Sequence, residues 1–311
     1  MDKHKKLDGE HIPIRIDFIQ EVVSYYEETK IASFRLLPDP RRYIESERDG
    51  ETYYVDKYLK VAFALEDLVA GFRPGMPSYA LSSTVGSTPE YAVDRLSALE
   101  HELEGGKYIP PKEKAIAHHE LDAEGRDKQL AFLSVDICGA TALRKSAPSA
   151  FDDAYDLFIR ELGTIVGQFN GTMLKTKGDG FIAYIDHPSF TSLCDAVIDM
   201  GLSILFVLQR SINPALRKGR LPGFDVRIGA DYGAAKLRKM SVPSTGFSSL
   251  EVASDALNRA VKIEESCSAN EFRIGRCLYE LIHVQWLERA TEVEFDGASV
   301  GLPGYKSYRM Q

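Results

Sequence analysis

Apolar residues recur every three or four positions through much of the first 105 residues, as in the series Tyr54, Tyr58 and Val61. This spacing places apolar side chains on one face of a helix. Proline at position 89 and the Gly105-Gly106 pair suit the first turn and the end of a helix. The pattern predicts three helices, over Asp17 to Lys30, Tyr53 to Phe72 and Ser87 to Glu104. The N-terminal region is therefore predicted to be mainly helical.

A polar segment follows these helices and contains Pro110-Pro111. Proline pairs and a low apolar content are typical of linkers. We therefore expect an N-terminal extension and linker over residues 1–125 and a second domain over residues 126–311.

In the second domain, short apolar runs alternate with longer amphipathic segments. Strands are predicted over Leu130 to Ile137, Gly171 to Lys177, Phe181 to Ile185, Phe224 to Tyr232 and near Lys236 to Met240, with a strand pair across Asp296-Gly297. Helices are predicted over Ala150 to Phe169, Thr191 to Ser211, Ser254 to Cys267 and near Arg276 to Trp286. This order predicts an α/β layered domain, an α+β sandwich with a mixed or antiparallel sheet.

Composition narrows the class of protein. The net charge of −8 argues against a nucleic-acid-binding protein, which normally needs a basic surface. The four cysteines lack metal-ligand spacing and are expected to be reduced thiols. The most apolar stretch, Cys194 to Leu208, is shorter than the roughly 20 residues that span a bilayer. We expect a cytoplasmic protein without a membrane segment or a signal peptide.

Two aspartates end strand-like runs and are each followed closely by glycine: Asp136, and Asp179 in a tight Gly178-Asp179-Gly180 turn. A single aspartate at such a position usually caps a turn. Two of them at one sheet edge would instead supply hard oxygen ligands for Mg²⁺ or Mn²⁺. The backbone N–H groups of the following turn, Cys138 to Thr141, can hold phosphate oxygens. Metal and amide donors together suit a nucleoside triphosphate.

Four motifs make residues 130 to 310 resemble the catalytic domain of the class III nucleotidyl cyclases, the adenylyl and guanylyl cyclase family. They occur in the family's order, as Asp136-Ile-Cys-Gly-Ala-Thr, Lys175-Thr-Lys-Gly-Asp179, Arg227-Ile-Gly-Ala-Asp-Tyr-Gly233 and Asn258-Arg-Ala-Val-Lys262. The resemblance implies the family's ferredoxin-like core. Ala140 stands where the family has an aromatic residue, Lys177 where it has an apolar one, and Lys262 where it has an arginine.

The resemblance implies that Asp136, the Ile137 carbonyl and Asp179 bind two divalent metal ions, Mg²⁺ or Mn²⁺. It also implies a head-to-tail homodimer, in which one subunit gives the metal ligands and the other contacts the base and the transition state. Asn258 and Lys262 lie four residues apart on one predicted helix face and would stabilise the transition state. Lysine keeps the charge of the family's arginine but not its planar fork. The alternative is a polar pair on a helix surface.

Substrate contacts follow from the same resemblance. Lys175 and Glu251 occupy the positions that select the base, and the turn residues Cys138, Gly139, Ala140 and Thr141 would hold phosphate. Arg238 is our choice among Lys236, Arg238 and Lys239 for the triphosphate. The family's late phosphate lysine is missing from its usual turn, where this sequence offers only Lys306. Lys177 is either a second cation near the site or an edge-strand charge that prevents association.

The sequence thus predicts an enzyme that converts a nucleoside triphosphate to a 3′,5′-cyclic nucleotide and pyrophosphate. Glu251 is longer than the aspartate usual at its position, which narrows the base pocket and favours a pyrimidine. The departures from the family pattern at Ala140, Lys177, Glu251 and Lys262 are similar to those of the bacterial pyrimidine cyclases of Pycsar anti-phage defence. Those enzymes make cyclic UMP or cyclic CMP, which acts on a cyclic-nucleotide-responsive effector. The alternatives are a bacterial adenylate or guanylate cyclase and a catalytically inactive nucleotide-binding homologue.

Overall fold

The computed structural model describes residues 15–28, 31–48, 50–66, 81–118 and 127–311. Its strands are β1 (Phe18–Tyr26), β2 (Ile31–Pro38), β3 (Tyr43–Arg48), β4 (Glu51–Asp56), β5 (Ala62–Ala64), β6 (Asp127–Ile137), β7 (Thr172–Lys177), β8 (Gly180–Ile185), β9 (Val226–Val242), β10 (Phe247–Ala253), β11 (Glu271–Gly275), β12 (Ala290–Val293) and β13 (Ser307–Met310). Its helices are α1 (Thr88–Leu103), α2 (Ala140–Ser146), α3 (Pro148–Gln168), α4 (Phe190–Val207), α5 (Asn213–Lys218), α6 (Asp255–Glu265), α7 (Arg276–Tyr279) and α8 (Val284–Leu287).

An eight-stranded sheet organises the second half of the chain. Its strand order is β12-β13-β11-β9-β6-β8-β7, and β10 pairs with the far end of β9. β6 runs antiparallel to both β8 and β9, whereas β11 runs parallel to β9. The prediction of an α/β domain with a mixed sheet is therefore confirmed.

Strand β6 lies at the centre because it is apolar on both faces. Leu133 and Val135 face a large core formed with α3 and α4, whereas Leu130 and Phe132 face a smaller cluster beneath α6. All four side chains are fully buried. Alternate residues of a strand point to opposite faces, so Ser134 and Asp136 share the face of α6. This face is where the candidate site lies.

The N-terminal region is mostly small antiparallel sheets, so the prediction of a mainly helical region is wrong. β1 pairs with β2, and β3, β4 and β5 form a three-stranded sheet. The segments read as helices contain runs such as Glu-Val-Val-Ser-Tyr-Tyr and Tyr-Tyr-Val, and β-branched and aromatic residues favour strands. The third predicted helix is observed, as α1, whereas the described residues of the first and most of those of the second form strands and turns; the ends of both predicted helices lie outside the described residues.

Buried ion pairs join the N-terminal sheets to the rest of the chain. Arg42 is fully buried and donates from Nη1 to Asp17 (2.9 Å) and from Nε to Asp56 (2.7 Å). Arg15 Nε donates to the other oxygen of Asp17, at 2.7 Å. The backbone N–H of Val284, which begins α8, donates to Asp17 at 2.9 Å. The N-terminal region is thus docked on the second half through charged groups that water does not reach.

Several elements differ from their predicted extent. β9 is one continuous strand where two were expected, and β10 and β11 were not predicted. The helix predicted to end at Trp286 is two short helices, α7 and α8, and the expected strand pair is β12 with β13. The predicted domain boundary at residue 125 stays a prediction.

The helical segment Phe190–Lys218 is longer than the apolar stretch identified in the sequence. Among the described residues it is the one helix long and apolar enough to cross a membrane, judged by length and composition. Its side chains Val197, Ile198 and Ile204 are fully buried in the large core, and 61% of its most apolar window is buried. Packing in the core accounts for its apolar composition.

Candidate functional site

A glycine contact holds the two aspartates at the same edge of the sheet. Asp179 lies in the two-residue turn between β7 and β8, in which Gly178 has a positive φ of 61°. Gly180 follows it and packs directly on β6, where an added Cβ would lie 2.0 Å from the Val135 carbonyl oxygen and 2.9 Å from the Asp136 Cα. Only glycine allows this approach. The turn with Asp179 therefore lies next to Asp136 on the neighbouring strand.

Asp136 is engaged by a cation from the neighbouring strand. It pairs in register with Arg227 of β9, and Arg227 Nη2 donates to Asp136 Oδ2 at 2.5 Å. This hydrogen bond raises the pKa of Arg227 above its ordinary value. The Asp136 side chain is 14% exposed, so the carboxylate is largely enclosed.

A second carboxylate, Glu264 of α6, lies behind Arg227 and is fully buried. Its Oε2 accepts from Ser134 Oγ (3.2 Å) and from Lys177 Nζ (3.3 Å). Its Oε1 is 3.5 Å from Arg227 Nε, and neither of these two buried atoms has a hydrogen-bond partner. Burial raises the pKa of Glu264, and the charges of Lys177 and Arg227 oppose that rise. Lys177 is thus a cation near the site rather than only an edge-strand charge.

The turn after Asp136 is predicted to hold phosphate, and in the structure the Cys138 amide of that turn is already engaged. Cys138 N–H donates to the Asp225 carbonyl at 2.8 Å, which fixes the start of the turn. Gly139 has a φ of +68° and precedes α2, which begins at Ala140. The amides of the first turn, including Thr141, have no partners within the helix. Burial is the main cause that raises the pKa of the Cys138 thiol, so this cysteine is a neutral group in the turn.

Helix α6 presents Asn258 and Lys262 away from the core. Ser254 caps the helix by accepting from Leu257 N–H, and Asn258 is exposed. Lys262 Nζ donates to Glu265 at 2.8 Å, which raises the pKa of the lysine. The adjacent Arg259 is buried instead, and its Nε donates to Asp231 at 2.5 Å. Arg259 therefore cannot replace Lys262 at the exposed face.

Glu251, which the sequence predicts to select the base, lies far along the sheet from Asp136. Glu251 of β10 is in register with Arg238 of β9, and Arg238 Nε donates to its Oε2 at 2.6 Å. This hydrogen bond lowers the pKa of Glu251. Asp136 is in register with Arg227, eleven residues earlier on the same strand, which corresponds to about 35 Å of extended chain. Glu251 and Asp136 of one chain therefore do not face one small ligand.

Lys175 and Glu251 border one apolar cluster. Leu174, next to Lys175, packs on the cluster beneath α6 together with Leu250 and Val252, which flank Glu251. Lys175 is exposed.

Two of the predicted phosphate cations already have acidic partners. Arg238 is paired with Glu251, and Lys306 Nζ is 2.8 Å from Glu292. Both ion pairs are largely exposed, so each contributes little to stability and can exchange. This ion pair joins Arg238, which is predicted to bind the triphosphate, to Glu251, which is predicted to select the base.

The donor atoms near Asp136 suit divalent cations. Asp136, Asp179 and the Ile137 carbonyl are hard oxygen donors of the kind Mg²⁺ and Mn²⁺ prefer. Within the described residues no group of three or more histidine, cysteine, aspartate or glutamate side chains forms a metal cage. A Mg²⁺ site of this type completes its ligand shell with substrate phosphates and water. The residues therefore fit metal ions that bind together with a nucleotide.

The sequence reasoning missed the roles of Arg227 and Glu264. Arg227 was recognised as part of a motif, but its pairing with Asp136 depends on the register of β6 and β9. Glu264 lies two residues after Lys262 and points to the opposite side of the helix. Glu264 could have been found from its place on the buried face of α6, since a buried charge needs a partner.

Comparison with solved structures identifies the fold of the second half as that of class III cyclase catalytic domains. The adenylyl cyclase CyaB from P. aeruginosa aligns with a TM-score of 0.52 and 19% identity over 60% of this chain and 96% of that chain. The guanylyl cyclase Cya2 aligns with a TM-score of 0.52 and 15% identity over 60% and 92%. The guanylate cyclase domain of RhGC from Catenaria anguillulae, solved with GTP, aligns with a TM-score of 0.51 and 13% identity over 60% and 98%.

No family model matches the chain, and no curated protein matches it significantly. At these identities the structural matches show a shared fold.

Proposed function

We propose that this protein is a nucleotidyl cyclase that converts a nucleoside triphosphate to a 3′,5′-cyclic nucleotide and pyrophosphate. One observation carries the proposal: Gly180 seats the turn with Asp179 against Asp136 at one edge of a class III cyclase sheet. Carboxylates on neighbouring strand ends repel one another, and Arg227 contacts Asp136 through one oxygen only, so a divalent cation would still be favoured there. In a cyclase the cations are divalent metal ions that bind with the triphosphate.

The metal ligands and the amides of the following turn have separate roles in this reaction. Asp136, the Ile137 carbonyl and Asp179 would hold two Mg²⁺ or Mn²⁺ ions, which when bound lower the pKa of the ribose 3′-OH and neutralise the triphosphate. The 3′-oxygen attacks the α-phosphorus, its proton leaves to solvent, and the bond to the β-phosphate oxygen breaks. The amides of Gly139 to Thr141 would bind phosphate oxygens.

The remaining groups come from a second subunit. Asn258 is exposed and Lys262 is half-buried on α6, and the positive charge of Lys262 would stabilise the charge that develops on the transferred phosphorus. Glu251 lies on β10 opposite Arg238, eleven residues along β9 from Arg227, the partner of Asp136, so the two acids would not contact the same nucleotide within one chain. A head-to-tail homodimer with two composite sites satisfies both conditions.

Within this proposal the substrate is a pyrimidine nucleotide, UTP or CTP. Glu251 reaches one methylene further than aspartate, and its carboxylate accepts from Arg238 Nε at 2.6 Å. A longer acidic side chain at this position would narrow the space beside Lys175 and leave room for the smaller bases. The product, cyclic UMP or cyclic CMP, would act in the cytoplasm on an effector in bacterial anti-phage defence.

The test is a product assay with the purified full chain. The protein is incubated with Mn²⁺ and each of ATP, GTP, CTP and UTP, and the products are identified by mass spectrometry. Cyclic UMP or cyclic CMP is expected. Turnover of ATP or GTP alone would make it a purine cyclase, and nucleotide binding without product would make it an inactive homologue.

Matched variants separate the metal site from general loss of structure. Asp136→Asn and Asp179→Asn should each reduce product formation by more than a hundredfold. Asp186→Asn is the control, because Asp186 follows the opposite end of β8 and pairs with Lys128. Glu251→Asp tests base choice, and we expect it to raise the turnover of ATP relative to UTP and CTP.

A further inference from the structure

Arg227 is shared unequally between two carboxylates. Its Nη2 donates to Asp136 at 2.5 Å, whereas its Nε stops 3.5 Å from Glu264 Oε1 without a hydrogen bond. Both Arg227 Nε and Glu264 Oε1 are buried and lack any partner. Buried polar atoms without partners are costly, and here two complementary ones face each other a few tenths of an ångström beyond bonding distance. A small shift would therefore bring the Arg227 guanidinium into hydrogen-bonding distance of Glu264 Oε1.

A metal ion at Asp136 competes directly with Arg227. Arg227 occupies Oδ2, one of the two carboxylate oxygens, so a divalent cation that uses both oxygens of Asp136 must displace the guanidinium. A cation brought beside Arg227 also repels it. Metal binding therefore favours any position that takes Arg227 away from Asp136.

We propose that Glu264 is a positioning residue that accepts Arg227 when divalent metal ions bind, so that Asp136 is released for the metal. The inference rests on the proposed metal site at Asp136. In the metal-free arrangement Arg227 neutralises Asp136. In the metal-bound arrangement Arg227 Nε closes on Glu264 Oε1, and the charge of Asp136 passes to the metal.

Lys177 and Ser134 make this exchange feasible. Both hold the other oxygen of Glu264, Oε2, and so leave Oε1 directed at Arg227. Lys177 also neutralises part of the buried charge while Arg227 is bound to Asp136. The lysine at a position that is apolar in the cyclases this chain resembles is thereby explained by its contact with Glu264.

The first experiment measures Mn²⁺ affinity from the free-ion signal in electron paramagnetic resonance, without nucleotide or turnover. Glu264→Gln should weaken Mn²⁺ binding about tenfold, or about 1.4 kcal/mol, because Arg227 loses its alternative charged partner. Glu265→Gln is the matched control and should bind Mn²⁺ like wild type, since it removes an equal charge from the exposed end of the same helix.

A double-mutant cycle separates exchange of Arg227 from simple loss of negative charge. In an Arg227→Met background the competitor is absent, so Glu264→Gln should change Mn²⁺ affinity less than twofold. An equal tenfold loss in both backgrounds would overturn the inference and indicate a through-space charge effect. Unchanged affinity in Glu264→Gln alone would overturn it as well.

A structural measurement covers the case in which Arg227→Met does not fold. Crystal structures of the wild type with and without Mn²⁺ should show the Arg227 Nε to Glu264 Oε1 distance fall below about 3.2 Å as the bond to Asp136 lengthens. An unmoved Arg227 with Mn²⁺ bound at Asp136 would refute the exchange and leave the proposed function standing. If Asp136→Asn leaves Mn²⁺ binding unchanged, the metal site itself is wrong and both proposals fail.

Discussion

The contact of Gly180 with β6 gives the sharpest prediction about the site. In Gly180→Ala the new methyl group would meet the Val135 carbonyl oxygen at 2.0 Å, so the turn with Asp179 must move away from β6 by about 1.4 Å to reach ordinary contact. Overpacking of this kind costs about 1–3 kcal/mol of folding free energy. A displacement of about 1 Å at a reacting centre can cost about a hundredfold in rate.

Gly178→Ala provides the matched control two residues away. A methyl group at Gly178 meets nothing within 4 Å, but the φ of +61° makes alanine strained there by about 1–2 kcal/mol. The two variants should therefore lose similar stability in urea unfolding. Only Gly180→Ala should lose Mn²⁺ affinity and cyclic nucleotide formation, the latter by about a hundredfold.

The assays are urea denaturation, Mn²⁺ binding and product formation on the same samples. A folded Gly180→Ala protein with Mn²⁺ affinity and turnover within about twofold of wild type would refute the reasoning. That result would mean that the position of Asp179 beside Asp136 does not determine activity. Equal losses in both variants would show that strain in the turn, rather than its contact with β6, is decisive.

Three further predictions concern the N-terminal ion pairs and helix α6. Arg42→Met should lower the free energy of unfolding by about 3–5 kcal/mol in urea, because it leaves buried carboxylates without their cation. Burial alone would raise the pKa of Asp17, but the charges of Arg15 and Arg42 lower it below 3.8, so its stabilisation is present above about pH 4 and lost as the pH falls further. Asp17→Asn should therefore flatten the acid side of the stability curve measured by thermal unfolding from pH 5 to pH 2. Lys262→Met should reduce product formation by about a hundredfold with an unchanged melting temperature, whereas Glu265→Gln should retain turnover within about threefold of wild type.

The N-terminal region shows where local pattern fails. Residues 18–26 and 51–56 contain apolar residues at spacings that fit a helix, yet both segments are strands. Their valine and tyrosine content favours strands only when a neighbouring strand supplies a partner. Those partners, Ile31–Pro38 and Tyr43–Arg48, are set by pairing in space. A single-segment pattern holds no information about them.

The sequence alone determined the layered second domain, the strands that end near Asp136 and Asp179, and the helix with Asn258 and Lys262. These features follow from local rules: alternation, helical spacing, capping, and the need of tight turns for glycine. They depend on neighbours within a few residues, which a sequence displays directly.

Only the tertiary structure decided which charges meet. The register of β6 with β9 places Arg227 on Asp136, and the packing of α6 on that face places Glu264 behind Arg227. These residues are separated by up to 128 positions in the chain, from Asp136 to Glu264. Long-range contacts arise from the burial of whole faces rather than from local spacing. The two aspartates were therefore visible in the sequence, and the charged residues around them appeared only with the fold.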